Sequence, residues 1–252
     1  MRTLDSPFTV FAVALVAQWL AAYAGAYFRK IRRPLRPDER DDFETVRTAT
    51  LTLLALIIGF SFSMAVTRYD QRKNYEEAEA NAIGTEYVRA DLLPSENATN
   101  VRELLRRYVD QRVAFYLARG QQQISQIDAD TSKLQAELWS AVLHPASTQP
   151  TAVTALAVSG MNDVLNSQGY TQAAWWNRIP VAAWGLMGLI AIACSLLQGY
   201  SERGTSTSVL LILPIILAIA FLLIADIDSP RGGIVRVLPQ NLLALSQSLR
   251  PR

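Results

Sequence analysis

The stretch from Thr48 to Leu93 has the pattern of one unbroken helix, apolar in its first half and charged in its second. TATLTLLALIIGFSFSMAVT carries no charge, whereas the following RYDQRKNYEEAEANAIGTEYVRADLL is rich in charged residues. A helix rises about 1.5 Å per residue, and a bilayer's hydrocarbon core is roughly 30 Å thick, so the apolar half can span it. The sequence therefore predicts a membrane-spanning helix that continues into water.

Three further stretches, 8–28, 179–201 and 204–225, are also uncharged and long enough to span a bilayer. Half of the 252 residues are hydrophobic and only 18% are charged, as expected for an integral membrane protein. We predict an all-α membrane protein with four transmembrane helices and a helical extramembrane bundle continuing from the second. The predicted domains are 1–67 (two transmembrane helices with a basic connector), 68–178 (extramembrane domain), 179–225 (the third and fourth transmembrane helices) and 226–252 (C-terminal tail).

The chain offers few residues for catalysis or metal binding. Its single cysteine, Cys194, lies inside an apolar block, and its single histidine, His144, precedes a proline. Such a chain cannot form an internal disulfide or a usual zinc site, and it contains none of the common catalytic or nucleotide-binding motifs. We expect no catalytic residues, no metal and no cofactor, and hence no enzyme. A net charge of +2 leaves no basic excess for nucleic acid.

The central domain shows helical periodicity throughout. Its apolar residues recur at three- and four-residue intervals in three stripes, which are Val101, Leu104, Leu105, Tyr108 and Phe115; Ile124, Ile127, Leu134, Leu138 and Val142; and Val153, Leu156, Met161, Val164 and Leu165. Breaks are predicted at Leu93-Pro94, at Arg119-Gly120 and between Pro145 and Pro150. Asn100 is a candidate cap for the helix that follows Pro94 and ends at Arg119-Gly120. Trp175 and Trp176 stand where an interfacial anchor is expected.

Five charged residues flank the predicted spans. Arg68, Arg72 and Glu76 follow the second apolar block at helical spacing, and Asp226 and Asp228 follow the fourth. One interpretation is structural: the arginines mark the membrane boundary and pair with Glu76, while the aspartates are solvated or pair with Arg68 or Arg231. The other interpretation is functional, with these charges around the mouth of a conduit.

The connector after the first block sets the expected orientation. It reads RKIRRPLRPDERDDFETVR and holds seven of the basic residues, whereas the other short segments hold few. Because basic loops favour the cytoplasm, the charge pattern places this connector inside and both termini and the central domain outside.

Several short sequence motifs resemble those of known families. LIIGF at 56–60, followed by Arg68-Tyr69 and Arg72, resembles the second membrane helix of bestrophins, and RYDQR, EANAIGTEYVRADLLP and ADIDSPRGG resemble the bacterial bestrophin-like domain family over most of the chain. The resemblance implies a homo-oligomer, a pentamer by analogy, in which the second helices surround an anion pore. In that register the pore-lining residues would be Thr52, Leu56 and Phe60, with Thr52 more polar than the family's usual residue.

The resemblance also bears on gating and orientation. Animal bestrophins hold calcium in an acidic clasp after the fourth helix, whereas the matching stretch here offers only Asp226 and Asp228, which argues against calcium gating. The bestrophin analogy places the central domain in the cytoplasm, opposite to the charge pattern.

Two classes of function follow from the sequence. The first is an oligomeric, bestrophin-like ion channel in the bilayer, anion-conducting by analogy and lined by the second transmembrane helix. The second is a non-conducting membrane scaffold or sensor whose helical domain binds a partner or ligand.

Overall fold

A computed structural model describes residues 6–31, 36–201 and 207–250. Several residues used in the charge argument, Arg2, Arg32, Arg33, Arg203 and Arg252, lie outside these ranges, as does the start of the block at 204–225.

Every regular element in the described residues is helical. The helices are α1 (Pro7–Ile31), α2 (Pro37–Arg89), α3 (Ser95–Leu117), α4 (Gln121–Thr148), α5 (Ala152–Trp176), α6 (Val181–Ser201), α7 (Thr207–Asp228) and α8 (Gln240–Ser248). Four stretches have the length and apolar composition needed to cross a membrane, at Pro7–Ile31, Glu39–Leu92, Ala152–Ser201 and Leu210–Asp228. The predicted fold class, an all-α protein with four membrane-spanning helices, is confirmed.

The predicted rod is a single helix. α2 runs for 53 residues without interruption, tightens into a short 3-10 turn at Ala90–Leu92 and ends before Pro94, as the Leu93-Pro94 signal predicts. A proline restricts the residue before it to extended conformations, which explains the stop. The Arg119-Gly120 break is also confirmed, because Gly120 precedes the first residue of α4.

One predicted helix start is wrong, and a predicted break is confirmed. α3 begins at Ser95, five residues before Asn100, because Pro94 already supplies an extended residue from which a helix can start. The predicted break between Pro145 and Pro150 is confirmed, because α4 passes through Pro145, ends at Thr148 and is followed by α5 from Ala152. In the last turn a proline disrupts little, and the hydroxyls of Ser147 and Thr148 donate to the carbonyl of His144.

The chain forms two compact units. Unit 1 comprises 1–69 and 178–236, and unit 2 comprises 70–177 and 237–252. Unit 1 thus holds α1, the first part of α2, α6 and α7, and unit 2 holds the remainder of α2 with α3, α4, α5 and α8.

Glycines bring α1 and α6 into backbone contact in unit 1. A Cβ on Gly199 would lie 1.9 Å from the carbonyl oxygen of Ala22, and a Cβ on Gly25 would lie 2.1 Å from that of Leu196. Only glycine fits such an approach, which is a common way for membrane helices to pack. α1 also packs against α7, and an apolar cluster that includes Leu54 of α2 completes this unit's core.

The core of unit 2 follows the predicted stripes with two exceptions. All five residues of the first stripe, from Val101 to Phe115, are buried, but Val153 and Leu156 of the third are about half exposed. The interfacial role expected for Trp175 is wrong as well, because this side chain is buried against the rings of Phe115 and Tyr116. Trp176, by contrast, is exposed.

The α1–α6 contact provides a test of the fold. Leucine at position 199 would collide with the carbonyl of Ala22, so we expect Gly199→Leu to destabilise the protein by at least the 1–3 kcal/mol that is typical of overpacking. Gly185→Leu on the same helix is the matched control, because a Cβ there meets nothing within 4 Å. Thermal melting of both variants in detergent checks this, and equal melting temperatures would contradict it.

Candidate functional site

One face of α2 in unit 1 is left uncovered by the other described residues of that unit. Thr52, Leu56 and Phe60 are spaced four residues apart and are all exposed, with 54% of Leu56 and 64% of Phe60 accessible. Leu54 and Ala65, on other faces of the same helix, are buried in the core. The structure thus places the three residues predicted to line a pore on one face, where another molecule can contact them.

This face begins in an open groove of about 760 Å³. Its lining includes Glu44, Thr48, Thr52 and Leu56, so that it changes from charged to apolar along the helix. Glu44 is held in place by Arg47 at 2.6 Å and by the hydroxyl of Ser201, which donates to it at 2.6 Å. The groove therefore has the carboxylate of Glu44 at one end and the apolar side chains of Leu53 and Leu56 at the other.

Asp228 is a buried structural acid at the end of α7. Its carboxylate lies 3.7 Å from the guanidinium of Arg68 and accepts hydrogen bonds from the backbone N–H of Ile179 at 3.1 and 3.2 Å. Of the two structural alternatives, the ion pair with Arg68 is confirmed, and solvation is wrong because Asp228 is buried.

Asp226 closes the loop that follows α7. Its two carboxylate oxygens accept from the backbone N–H groups of Ile234 and Val235 at 2.7 and 2.8 Å. Gly233 is required at this point, because a Cβ there would lie 2.6 Å from both the carbonyl and a carboxylate oxygen of Asp226. Asp226 is thus buried and bonded to the loop's own backbone, and solvation is wrong for this residue too. Within the described ranges, no group of three or more histidine, cysteine or acidic side chains could hold a metal ion.

Arg72 and Glu76 are both buried in unit 2. The Nε–H of Arg72 donates to the carbonyl of Ala174 at 3.4 Å. The carboxylate of Glu76 accepts from the side chain of Asn241 at 2.6 Å and from the backbone N–H of Leu242 at 2.9 Å. Because both donors stand in the first turn of α8, Glu76 satisfies the N-terminus of that helix and complements its dipole.

A fully buried ion pair joins α2 to α3. Glu79 pairs with Arg112, and its carboxylate also accepts from the hydroxyls of Tyr116 at 3.4 Å and Thr171 at 3.1 Å. Burial alone lowers the pKa of Arg112, but the Glu79 carboxylate outweighs this and raises it. Sequence reasoning missed Arg112, although its place four residues after Tyr108 on an otherwise apolar stripe is a usable signal.

Glu86 is the most unusual acid of unit 2. Its exposure is 0%, and neither carboxylate oxygen has a hydrogen-bond partner among the described residues. It packs on Gly160, where a Cβ would lie 2.0 Å from a carboxylate oxygen. Burial raises the pKa of Glu86 from 4.5 to about 8, an effect that Arg89 opposes and Asp163 reinforces. Sequence reasoning did not identify this residue.

Comparisons with known proteins come from a family model and from solved structures. The model for the Bestrophin-like domain matches residues 9–242. A crystal structure of a bacterial bestrophin homolog from Klebsiella pneumoniae, carrying one substitution, superposes with a TM-score of 0.66 at 12% identity, covering 96% of this chain and 97% of that one. A second structure of that homolog gives 0.63 at 14% identity, covering 96% and 95%. No curated protein sequence matches the chain.

The protonation of Glu86 makes unit 2 sensitive to pH. Between pH 4.5 and about 8 the folded protein holds a proton that the unfolded chain releases, so stability falls as pH rises through this range. We expect the melting temperature of the wild type to fall more between these two pH values than that of Glu86→Gln, which has no proton to lose. For one bound proton the free energy of unfolding should fall by at most about 1.4 kcal/mol per pH unit in this range.

Glu77→Gln is the matched control for this measurement, because Glu77 is exposed on the same helix. Its melting curve should follow that of the wild type at every pH. Three parallel curves would show that Glu86 does not titrate in this range.

Proposed function

Because the chain belongs to the Bestrophin-like domain family, we propose that it forms an oligomeric ion channel lined by the exposed face of α2. The observation that carries the proposal is the exposure of Thr52, Leu56 and Phe60 on one side of a membrane-spanning helix. One helix face cannot enclose a path, so several copies must place their α2 helices around a common axis. By family resemblance the number is five.

The chemistry of this face suits a gated pore. Rings of leucine and phenylalanine at successive turns would form an apolar constriction, which closes a channel when water leaves it. No charged residue lies between Thr48 and Thr67, so an ion would pass without a fixed counter-charge on α2. Anion conduction is the family expectation.

The hydroxyl of Thr52 bears on ion selectivity. It donates to the carbonyl of Thr48 at 2.9 Å and so presents oxygen lone pairs outward. An anion needs a donor, and therefore Thr52 would have to turn its proton from Thr48 into the pore. Thr52→Val keeps the shape of the side chain and removes the hydroxyl. A change of ion selectivity in this variant would indicate that the hydroxyl contacts the ion, and unchanged selectivity would indicate that position 52 acts only as part of the pore wall.

Phe60 gives the clearest test of the proposed pore. Removing its ring should widen the apolar constriction, so Phe60→Ala, and likewise Leu56→Ala, should raise the conductance of purified protein in planar bilayers severalfold. Phe62→Ala is the matched control, since Phe62 lies two residues further along and projects from a different side of α2. Silence of the wild type across salts and voltages would contradict the channel, and an equal effect of Phe62→Ala would contradict the pore-lining role of Phe60.

For the orientation we follow the family and propose that unit 2 lies in the cytoplasm of a bacterial cell whose inner membrane holds the spans. The charge pattern predicts the opposite. Two of the basic residues that it counts are engaged within unit 1, since Arg29 donates to the carbonyl of Ser201 at 3.3 Å and Arg47 donates to the side chain of Gln198 at 3.2 Å. Because these two residues have partners within unit 1, we give the charge of the connector less weight in predicting the orientation.

Cysteine labelling of spheroplasts tests the orientation. In a Cys194→Ala background, we expect Gln121→Cys to react with a membrane-impermeant maleimide only after the membrane is permeabilised, and Asp42→Cys in the connector to react at once. Both positions are exposed in the structure. The reverse pattern would show that the charge rule is correct and would place unit 2 in the periplasm.

A further inference from the structure

Unit 1 contains an apolar cavity of about 280 Å³ between α1, α6 and α7. Val13, Trp184 and Phe221 supply much of its wall, and the rings of Trp184 and Phe221 meet edge to face with centroids 6.2 Å apart. The cavity extends along α1 from Thr9 to Gln18, which is about 13 Å at the rise of a helix. Its volume is roughly nine times the 30 Å³ that one molecule occupies in liquid water.

The polar residue of this cavity that lies deepest in the span is Gln18. It stands at the middle of the first apolar block and is only 1% exposed. Neither the oxygen nor the nitrogen of its amide has a hydrogen-bond partner among the described residues. Both atoms are also inaccessible to solvent, so the amide meets a group in the cavity only when its side chain turns toward it. An unpaired amide in a hydrocarbon environment costs several kcal/mol, so such a group calls for a partner.

A second unpaired group stands in the same helix interface. The hydroxyl of Ser195 on α6 is buried and likewise without a partner in the described part of the chain. Gln18 and Ser195 lie one turn before Ala22 and Gly199 respectively, and those two residues are in backbone contact. Gln18 lines the cavity itself, whereas Ser195 belongs to the neighbouring part of the α1–α6 interface.

We propose that this cavity binds one uncharged, single-chain amphiphile from the bilayer, whose hydroxyl or carbonyl group is hydrogen-bonded by the amide of Gln18. An amide can both donate and accept, so it recognises either group. Among the described residues no charged side chain lines the cavity, so a charged group inside it would be unpaired and costly. The apolar walls between Gln18 and Thr9 hold the hydrocarbon part, and ligand pockets commonly combine such walls with a few polar groups.

Trp184 provides a direct readout of binding. Bromine quenches indole fluorescence at short range, so a bromodecanol with bromine on its terminal carbon is a suitable probe for protein in lipid nanodiscs. The difference between the wild type and Trp184→Phe isolates the signal of Trp184. We expect saturable quenching of this signal by bromodecanol, and weaker binding of bromodecane, which lacks the hydroxyl.

Gln18→Leu tests the polar contact. Loss of the hydrogen bond should weaken bromodecanol binding by about threefold to tenfold and leave bromodecane binding unchanged. Gln18→Met is the second variant, used if Gln18→Leu does not yield folded protein. An unchanged preference for the alcohol in these variants would overturn the role of Gln18.

Two glycines of α6 test the location of the site. A Cβ on Gly188 or on Gly185 meets nothing within 4 Å, so both positions have space for leucine, but only Gly188 lines the cavity. Gly188→Leu should abolish the saturable quenching, and Gly185→Leu should retain it.

Two results would overturn the proposal as a whole. One is quenching that rises linearly with probe in every variant, which shows only that the probe dissolves in the bilayer. The other is saturable quenching that Gly188→Leu does not reduce. Since no current is measured, the outcome is independent of whether the protein conducts ions.

Discussion

The structure depends on α2, a single helix whose first part has the composition of a membrane span and whose second part has that of a helix in water. In unit 1 the buried side of α2 is uncharged and carries Leu54, Ser61 and Ala65. In unit 2 the buried side carries Glu76 and Glu79, and an ionised carboxylate inside a protein costs several kcal/mol unless it is paired. Each of these acids therefore fixes the position of other helices, Glu76 through the start of α8 and Glu79 through Arg112 of α3 and Thr171 of α5.

The acidic segment after α7 shows that carboxylates at a membrane boundary need not face an ion. Asp226 is satisfied by two backbone N–H groups of the loop that follows it, and Asp228 by the N–H of Ile179 and the guanidinium of Arg68. Where a chain leaves a helix in a partly apolar region, its backbone donors need acceptors. In this chain the two aspartates supply them, and the glycine at 233 lets the loop close tightly enough to reach Asp226.

Much of the architecture could be predicted from the sequence, because membrane spans are recognised from length and charge alone. The four spans, the unbroken α2 and the first stripe of α3 are of this kind. The start of α3 was wrong because two local signals compete there: Pro94 starts the helix ahead of Asn100. Contacts such as Glu79 with Arg112 could not be predicted, since nothing in either residue's neighbourhood specifies a partner 33 residues away.

Exposure of Leu56 and Phe60 does not by itself distinguish a pore from a lipid-facing surface, because lipid also accepts apolar side chains. The residues at the start of the same face, around Glu44, tell more about its surroundings. Glu44 and Arg47 form a partly exposed ion pair beside the groove that leads to Thr52, and a charged pair is costly in hydrocarbon. Three turns of α2 thus connect the charged pair of Glu44 and Arg47, which favours water or headgroups, to the uncharged face at Thr52 and Leu56. An ion path along α2 would have this sequence of environments, and its entrance would lie at Glu44 and Arg47.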